Sequence, residues 1–554
     1  MAGATAAGDE PLDAIIVGAG FAGLYMLHSL RQRGKRVRVI EAASDVGGTW
    51  YWNRYPGARC DVVSVDYSFS FSDEIQQEWD WTEKYAAQPE ILDYIGFVAD
   101  KLDLRRDIQF DTRVEAMVYN DEDALWTVTT DGEEHYVARS CIMATGCLSI
   151  PKEPDIPGLE AFQGPVYFTS RWPKESVDFS GQTVGLIGTG SSGIQVAPKI
   201  AEAAERLLVF QRTPSFTLPA RNAPFPRDTL AEVKANYPHR RAEARQHPAG
   251  HLRPLTNRAT FSYADDERQL VFDGAWQRGG LDLFGVFGDL IVDEKANFEV
   301  ARLIHDKIDE TVDDPVTAAA LKPQRDPLGG RRVCLDTDYY KTFNRANVDL
   351  IDVLTDPIEE VDTDGIRTRA NHYVLDALVL ATGFDAMTGA LLAVDIRGRD
   401  GRSLRDKWRD GPLSYLGIAI EGFPNLFTIT GPGSPSVLTN VVASIEQHVE
   451  WITGLIDHMD EHGLRTVEAD VDAEAEWMQH VYDIAAHTLM IKANSWYVGS
   501  NVPGKPRIFM PFAGGLDVYR NMTDEIARDD YRGFHFATLT SSAPEGGAPL
   551  LLSS

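Results

Sequence analysis

The chain has 554 residues, too many for one core. With 44% hydrophobic and 25% charged residues it reads as an ordinary folded protein of two or three domains. A formal net charge of −30 excludes a partner such as nucleic acid or an anionic membrane surface, since either would be repelled. Uninterrupted apolar runs stay short of the roughly 20 residues of a membrane span, and Met1–Leu12 lacks a signal-peptide pattern. A cytoplasmic protein away from the membrane is expected. Cys60, Cys141, Cys147 and Cys334 have no CxxC or metal-ligand spacing. They fit buried free thiols in a reducing compartment, and no metal site is read.

About ten Ala/Gly-rich residues, expected to be disordered, precede Ala14–Val17, which reads as a buried parallel strand. It runs into Gly18-x-Gly20-x-x-Gly23, then a helical run that Gly34 stops, then a strand at Val37–Ile40. Such a turn lets backbone approach a pyrophosphate and aims helix N–H groups at its oxygens. Glu41, 23 residues after Gly18, is placed to accept hydrogen bonds from ribose hydroxyls. Next comes Gly47-Gly-Thr49-Trp50, with Trp52, Tyr55 and Arg59 leading to Asp61, a loop that brings backbone and flat rings to a cofactor. The segments 111–114 and 126–130 read as short antiparallel strands with Asp131-Gly132 as their turn. Cys141–Gly146 reads as a strand returning to the cofactor edge, and Pro151, Pro154 and Pro157 as a linker.

The chain then repeats itself. Val184–Ile187 leads to Gly188-Thr189-Gly190-Ser191-Ser192-Gly193 and a helical run containing Gln195. At the offset where the first copy has Glu41, the second has Gln211, followed by Arg212 and Thr213. A 2′-phosphate is repelled by a carboxylate and held by a guanidinium with a hydroxyl beside it. The first site therefore suits FAD and the second NADPH. Residues 214–330 read as a mostly helical insertion, and Arg331-Arg332 follow a Gly-Gly bend that can aim them into a pocket. Leu378–Gly383 repeats the Ala144-Thr-Gly146 pattern and is expected to return the chain to the first domain. His448, on a helix-like run, reads as a satisfied core histidine, and Ser495-Trp496-Tyr497 as an ordered loop over a cofactor.

The expected fold is α/β, with two Rossmann-like dinucleotide-binding domains and a mostly helical insertion. The FAD-binding domain is expected at 1–146 and 376–540, the NADP-binding domain at 147–213 and 331–375, the insertion at 214–330, and a disordered tail at 541–554.

On these residues the chain resembles the type I Baeyer–Villiger monooxygenases, near the phenylacetone and steroid monooxygenases. The paired glycine turns flank Phe162-x-Gly164-x-x-x-Phe168-x-x-x-Trp172-Pro173, and Gly47-Gly-x-Trp50 … Tyr55-Pro-Gly … Asp61 matches the family's second signature. The family has histidine where this chain has Phe168, so a polar contact made there must be supplied elsewhere or lost, with slower or less coupled turnover expected. The resemblance implies a monooxygenase that uses FAD, NADPH and O₂ to insert oxygen beside a ketone carbonyl through a flavin C4a-peroxide. The product is an ester or lactone, and cyclic, aromatic or steroid-like ketones are the expected substrates. It assigns Arg332 the role of fixed cation and Asp61 the role of holding it. Cofactor contacts are expected from Thr49, Trp50, Arg59, Asp61, Tyr67 and Val114 around the first site. The second site draws on Thr189, Ser191, Ser192, Gln195, Arg212 and Thr213, with Arg331, Arg332 and Trp496. The substrate pocket draws on Ser436, Val437, Leu438, Cys147 and Leu148, and the chain is expected to act as a monomer. The rival readings are a flavin monooxygenase oxidising sulfur or nitrogen and a flavin reductase, the latter lacking a use for Arg332 and Asp61.

Overall fold

The computed structural model describes residues 10–538, so the Ala/Gly-rich start and the tail at 541–554 lie outside the described residues. Strand β1 (Leu12–Val17) runs through the first glycine turn into helix α1 (Phe21–Gln32) and back along β2 (Val37–Ile40). Helices α2 (Thr49–Trp52), α3 (Asp73–Glu78) and α4 (Gln88–Lys101) lead to β3 (Ile108–Gln109). Then come β4 (Val114–Asn120), β5 (Leu125–Thr130) and β6 (His135–Met143). The turn between β4 and β5 falls at 121–124, where Ala124 takes φ +53°. Asp131-Gly132 instead turns β5 into β6, because β4 begins where the sequence reading ended it.

The second unit holds β7 (Val166–Phe168), β8 (Thr183–Ile187), α5 (Ser191–Ala203) and β9 (Arg206–Gln211). Strands β10 (Thr217–Pro219) and β11 (Cys334–Asp336) form a separate parallel pair on either side of the insertion. Beyond them lie β12 (Val348–Asp352), the antiparallel ribbon of β13 (Ile358–Val361), β14 (Gly365–Thr368) and β15 (His372–Val374), and then β16 (Ala377–Leu380). Strands β17 (Asp395–Arg397) and β18 (Leu426–Thr428) lie C-terminal to β16.

Apart from the β10–β11 pair and the β13–β15 ribbon, these strands make two sheets. The first has the order β17-β4-β5-β6-β1-β2-β3, with β18 beside β6 where β5 leaves it. The second, β12-β9-β8-β16-β7, is parallel throughout. Their central strands are covered on both faces, which is why Ala14–Val17 and Ala377–Leu380 are apolar without alternation. Helix α1 and the long helix Val441–Glu461 pack together over the first sheet. Residues between β10 and β11 are mainly helical, with Asp265–Arg278 and Glu294–Thr311 the longest pieces. Phe272, Val300 and Ile304 of these helices share a core with Tyr85 of the first unit and Leu335 of β11.

The second Ala-Thr-Gly segment corrects an expectation. Leu378–Leu380 belong to the second sheet, between β8 and β7, and not to the first domain. The reason is steric: a Cβ on Gly18 would lie 2.7 Å from the Ala144 carbonyl oxygen, and one on Gly188 would lie 2.4 Å from that of Ala381. Each Ala-Thr-Gly ends the strand that closes against the first glycine of its own nucleotide turn. The chain crosses between sheets only after this point. There Lys152 N–H donates to Gly383 O (2.9 Å) and Asp385 N–H to Ile150 O (2.9 Å), so the outgoing and returning crossings lie antiparallel.

Phe168 ends β7 and packs against the apolar cluster of Phe162, Leu378 and Leu380, while Tyr167 on the opposite face meets Trp172 and Phe179. A polar link between the units comes instead from Gln195, whose amide donates to Arg59 O (3.0 Å) and accepts from the Tyr55 hydroxyl (2.7 Å).

Trp126 of β5 is fully buried, and its indole N–H donates to Pro424 O at 2.8 Å, tying the antiparallel arm to the segment before β18. Trp126→Ala should destabilise the first unit by about 3–5 kcal/mol, read as an earlier transition in urea unfolding. A transition at the wild-type midpoint would show that this contact does not hold the arm.

Candidate active site

Both nucleotide turns have the geometry that an anionic group requires. Gly20 and Gly190 cap α1 and α5 without any side-chain hydrogen bond, leaving first-turn amides available. Gly23 and Gly193 pack so tightly that a Cβ would lie about 2 Å from the carbonyl oxygens of Gly18 and Gly188. The middle glycines differ from these: a Cβ on Gly190 would meet nothing within 4 Å, and one on Gly20 only the backbone of Gly48. That leaves space on the helix axis where a pyrophosphate would sit. Glu41, 5% exposed, accepts from the amides of Ala19 (2.6 Å) and Ala43 (2.7 Å) at the end of β2. Burial raises its carboxyl pKa, and these amides oppose the rise.

Trp50 is buried and its indole N–H donates to the Tyr67 hydroxyl at 3.2 Å, which fixes the loop after Gly47-Gly48. Thr49 stays exposed at the start of α2, and Val114 is buried at the start of β4. This side of the first turn therefore carries flat rings, free amides and a ribose-seeking carboxylate, a set that fits FAD.

The second turn is lined differently. Thr189 donates from its hydroxyl to Thr213 O (3.0 Å), and the Ser191 hydroxyl lies 3.2 Å from Cys334 Sγ. Ser192 stands beside the buried Tyr55 hydroxyl. Arg212 is exposed past the end of β9 and, among the described residues, has no carboxylate partner. Lys152, which the sequence reading missed, lies close by: burial first, then the charge of Arg212, lowers its pKa. Two cations at the position where the first copy has an acid fit the 2′-phosphate of NADPH. Arg331 pairs with Asp326 (2.7 Å), and Arg59 with Glu83 (2.7 Å) and the Tyr85 carbonyl.

Between the units, Asp61 and Arg332 meet. Both carboxylate oxygens accept from Arg332, with Nη2 at 2.8 and 2.7 Å and Nε at 2.9 Å, while Nη1 donates to the Val437 carbonyl. Burial alone would lower the guanidinium pKa, but Asp61 and the neighbouring groups together outweigh it and hold Arg332 above its ordinary range. Tyr497, read from the sequence only as part of the loop with Trp496, faces this pair. Burial pushes its phenol up to about 12, so it stays neutral beside Arg332. Burial likewise raises the Cys334 thiol to about 11 and Cys60 further, which keeps both as inert thiols.

Cys147, Leu148, Val437, Leu438 and Trp496 gather with Tyr497 and Met510 in one apolar cluster beside the pair. Ser436 is buried in left-handed backbone (φ +40°), its side chain beside the Cys147 thiol. His448 is not part of this site: it is fully buried, accepts the Thr430 amide at Nδ1 (3.1 Å) and meets the Tyr519 hydroxyl at Nε2 (2.8 Å). Burial lowers its pKa to about 3.

Residues 15–258 match the family described as pyridine nucleotide-disulphide oxidoreductase. A Baeyer–Villiger monooxygenase from Pseudooceanicola batsensis is 42% identical, the match covering 94% of this chain and 95% of that one. A cyclohexanone 1,2-monooxygenase from an Acinetobacter species is 40% identical over 94% of this chain and 96% of its own length. The solved structure of an oxidized steroid monooxygenase bound to NADP superposes with a TM-score of 0.92 at 47% identity, covering 95% of this chain and all of that one. With nearly its whole length shared with such relatives, the chain belongs to the Baeyer–Villiger monooxygenases.

Proposed function

We propose that the chain converts ketones to esters or lactones with FAD, NADPH and O₂, and that Arg332, held by Asp61, is the cation at its reaction centre. The observation that carries the reading is the bidentate Asp61–Arg332 contact at the junction of two nucleotide-binding units, next to an apolar pocket. Bound FAD, reduced by NADPH, would activate O₂ and supply the oxygen atom.

The protein's own residues do the rest. Attack at a carbonyl builds negative charge on its oxygen, and a guanidinium already fixed in place stabilises that charge without reorganising. Arg332 suits the task because it cannot lose its proton and because Asp61 and Val437 O fix its plane. The walls formed by Cys147, Leu148, Val437 and Leu438 exclude water and accept a cyclic, aromatic or steroid-like skeleton by apolar contact. Arg212 and Thr213, with Lys152, would select NADPH over NADH, Glu41 would hold the FAD ribose, and Trp496 and Arg59 would contact the nicotinamide nucleotide. The first sheet with its returning C-terminal segments would bind FAD, the second sheet NADPH. The four unpaired cysteines support a reducing, cytoplasmic setting.

In Arg332→Ala, NADPH should still bleach the flavin, while ester formation from a cyclic ketone falls about a hundredfold or more. Ester yield at the wild-type level would remove Arg332 from the chemistry. A panel of ketones and thioethers analysed for products separates ester formation from sulfoxidation, and sulfoxide alone would favour the heteroatom reading.

Arg212→Ala and Lys152→Ala should each raise KM for NADPH about tenfold while changing that for NADH by less than about twofold. An unchanged NADPH-to-NADH ratio in both variants would refute the 2′-phosphate assignment.

A further inference from the structure

A second buried guanidinium stands within range of the Arg332 charge. Arg253 lies in the segment after His251, and its charge and that of Arg332 are close enough to oppose each other. The segment is rigidly held. His247 donates from Nε2 to the Arg253 carbonyl (3.2 Å) and accepts the Ala249 amide at Nδ1 (3.0 Å). Gly285 packs so closely on the next residue that a Cβ there would lie 1.6 Å from Pro254 O.

What Arg253 lacks is an anion. Among the described residues its guanidinium makes no ion pair or hydrogen bond, and its Nε is out of reach of solvent with no partner. Burial first, then the charge of Arg332, lowers its pKa to about 10; Asp282 opposes this, but that carboxylate is taken by Arg278 at 2.8 Å. His251, 7% exposed, likewise has an unpartnered Nδ1. An unpaired guanidinium next to a second cation is unfavourable until an anion reaches it. Arg332 serves the ketone carbonyl, which leaves the second guanidinium available to an anionic group.

We propose that Arg253 anchors a carboxylate on the substrate, so that this enzyme prefers ketones bearing a carboxylate on the skeleton. The inference rests on the ketone-oxygenating reading above. A carboxylate is the matching group because its two oxygens fit the planar fork of a guanidinium.

The test compares a cyclohexanone carboxylate with its carboxamide, using the FAD-loaded enzyme. Affinity is measured by calorimetry on the oxidised holoenzyme, and kcat/KM by product analysis. The wild type should favour the carboxylate about tenfold or more in both measures. Arg253→Met should lower that ratio about tenfold or more, and Arg253→Lys should keep part of it, with FAD content confirming that each variant is folded. No preference in the wild type, or a preference that survives in Arg253→Met, overturns the proposal. So does a loss in Arg253→Met of NADPH affinity as large as the loss for the carboxylate, since the contact would then be with the nucleotide. If calorimetry gives the expected pattern but neither compound yields ester, the anchor stands and the oxygenation reading falls.

Discussion

The contact between Asp61 and Arg332 joins residues 271 positions apart, one from the loop after the first glycine turn and one from the end of the helical insertion. Neither unit holds both partners. The carboxylate needs the first sheet to set its loop through Trp50 and Tyr67, and the guanidinium needs the Gly329-Gly330 bend and β11 to aim it. Arg332 also reaches Val437 O, which adds the C-terminal segment to the same point. A buried pair of this kind costs desolvation that its attraction only partly offsets, so it is better understood as fixing geometry than as stabilising the fold. The geometry it fixes is the position of a permanent positive charge at the junction of the two nucleotide sites.

The two nucleotide units solve one steric problem in one way. A first glycine at positive φ lets the turn pass under the carbonyl of the neighbouring strand's terminal alanine, Ala144 in one unit and Ala381 in the other. A last glycine lets the helix descend onto the turn. Between these crowded positions the backbone is open only at the helix mouth, which is where an anion is needed. The difference between the units is one of charge. Glu41 ends the second strand of the first, whereas Gln211 and Arg212, with Lys152 across the crossover, occupy that place in the second.

This repetition explains what could be read from the sequence and what could not. Local features were legible: glycine spacing, the apolar strands, the acid at one strand end and the cation at the other, the Asp61 loop, and His448 as a core residue. Contacts between distant segments were not. Leu378–Leu380 looked like a return to the first domain because its Ala-Thr-Gly ending copies residues 144–146, yet that ending is what any strand needs beside a glycine turn, so it cannot say which turn. Lys152 stood in a proline-rich linker with no periodicity to mark it, and Tyr497 in a loop whose neighbour Trp496 drew attention first. Arg253 sits in an irregular segment of the insertion, where no periodicity marks it as a buried arginine.

The charge of the whole chain then takes on a different meaning. A net charge of −30 repels anions from most of the surface, and yet the ligands this protein handles include a dinucleotide with an extra phosphate. The molecule resolves the conflict locally. Among the described residues Arg212 and Lys152 make no ion pair at one end of the crossover, and neither does Arg253, within range of the Arg332–Asp61 pair. Most surface arginines here are answered by acids, as Arg206 is by Asp349 and Arg302 by Asp306. Where an unanswered cation is also buried, low-dielectric walls concentrate its field into the space it faces. On the reading proposed above, Arg212 with Lys152 would draw a phosphate and Arg253 a group carried by the molecule being oxidised.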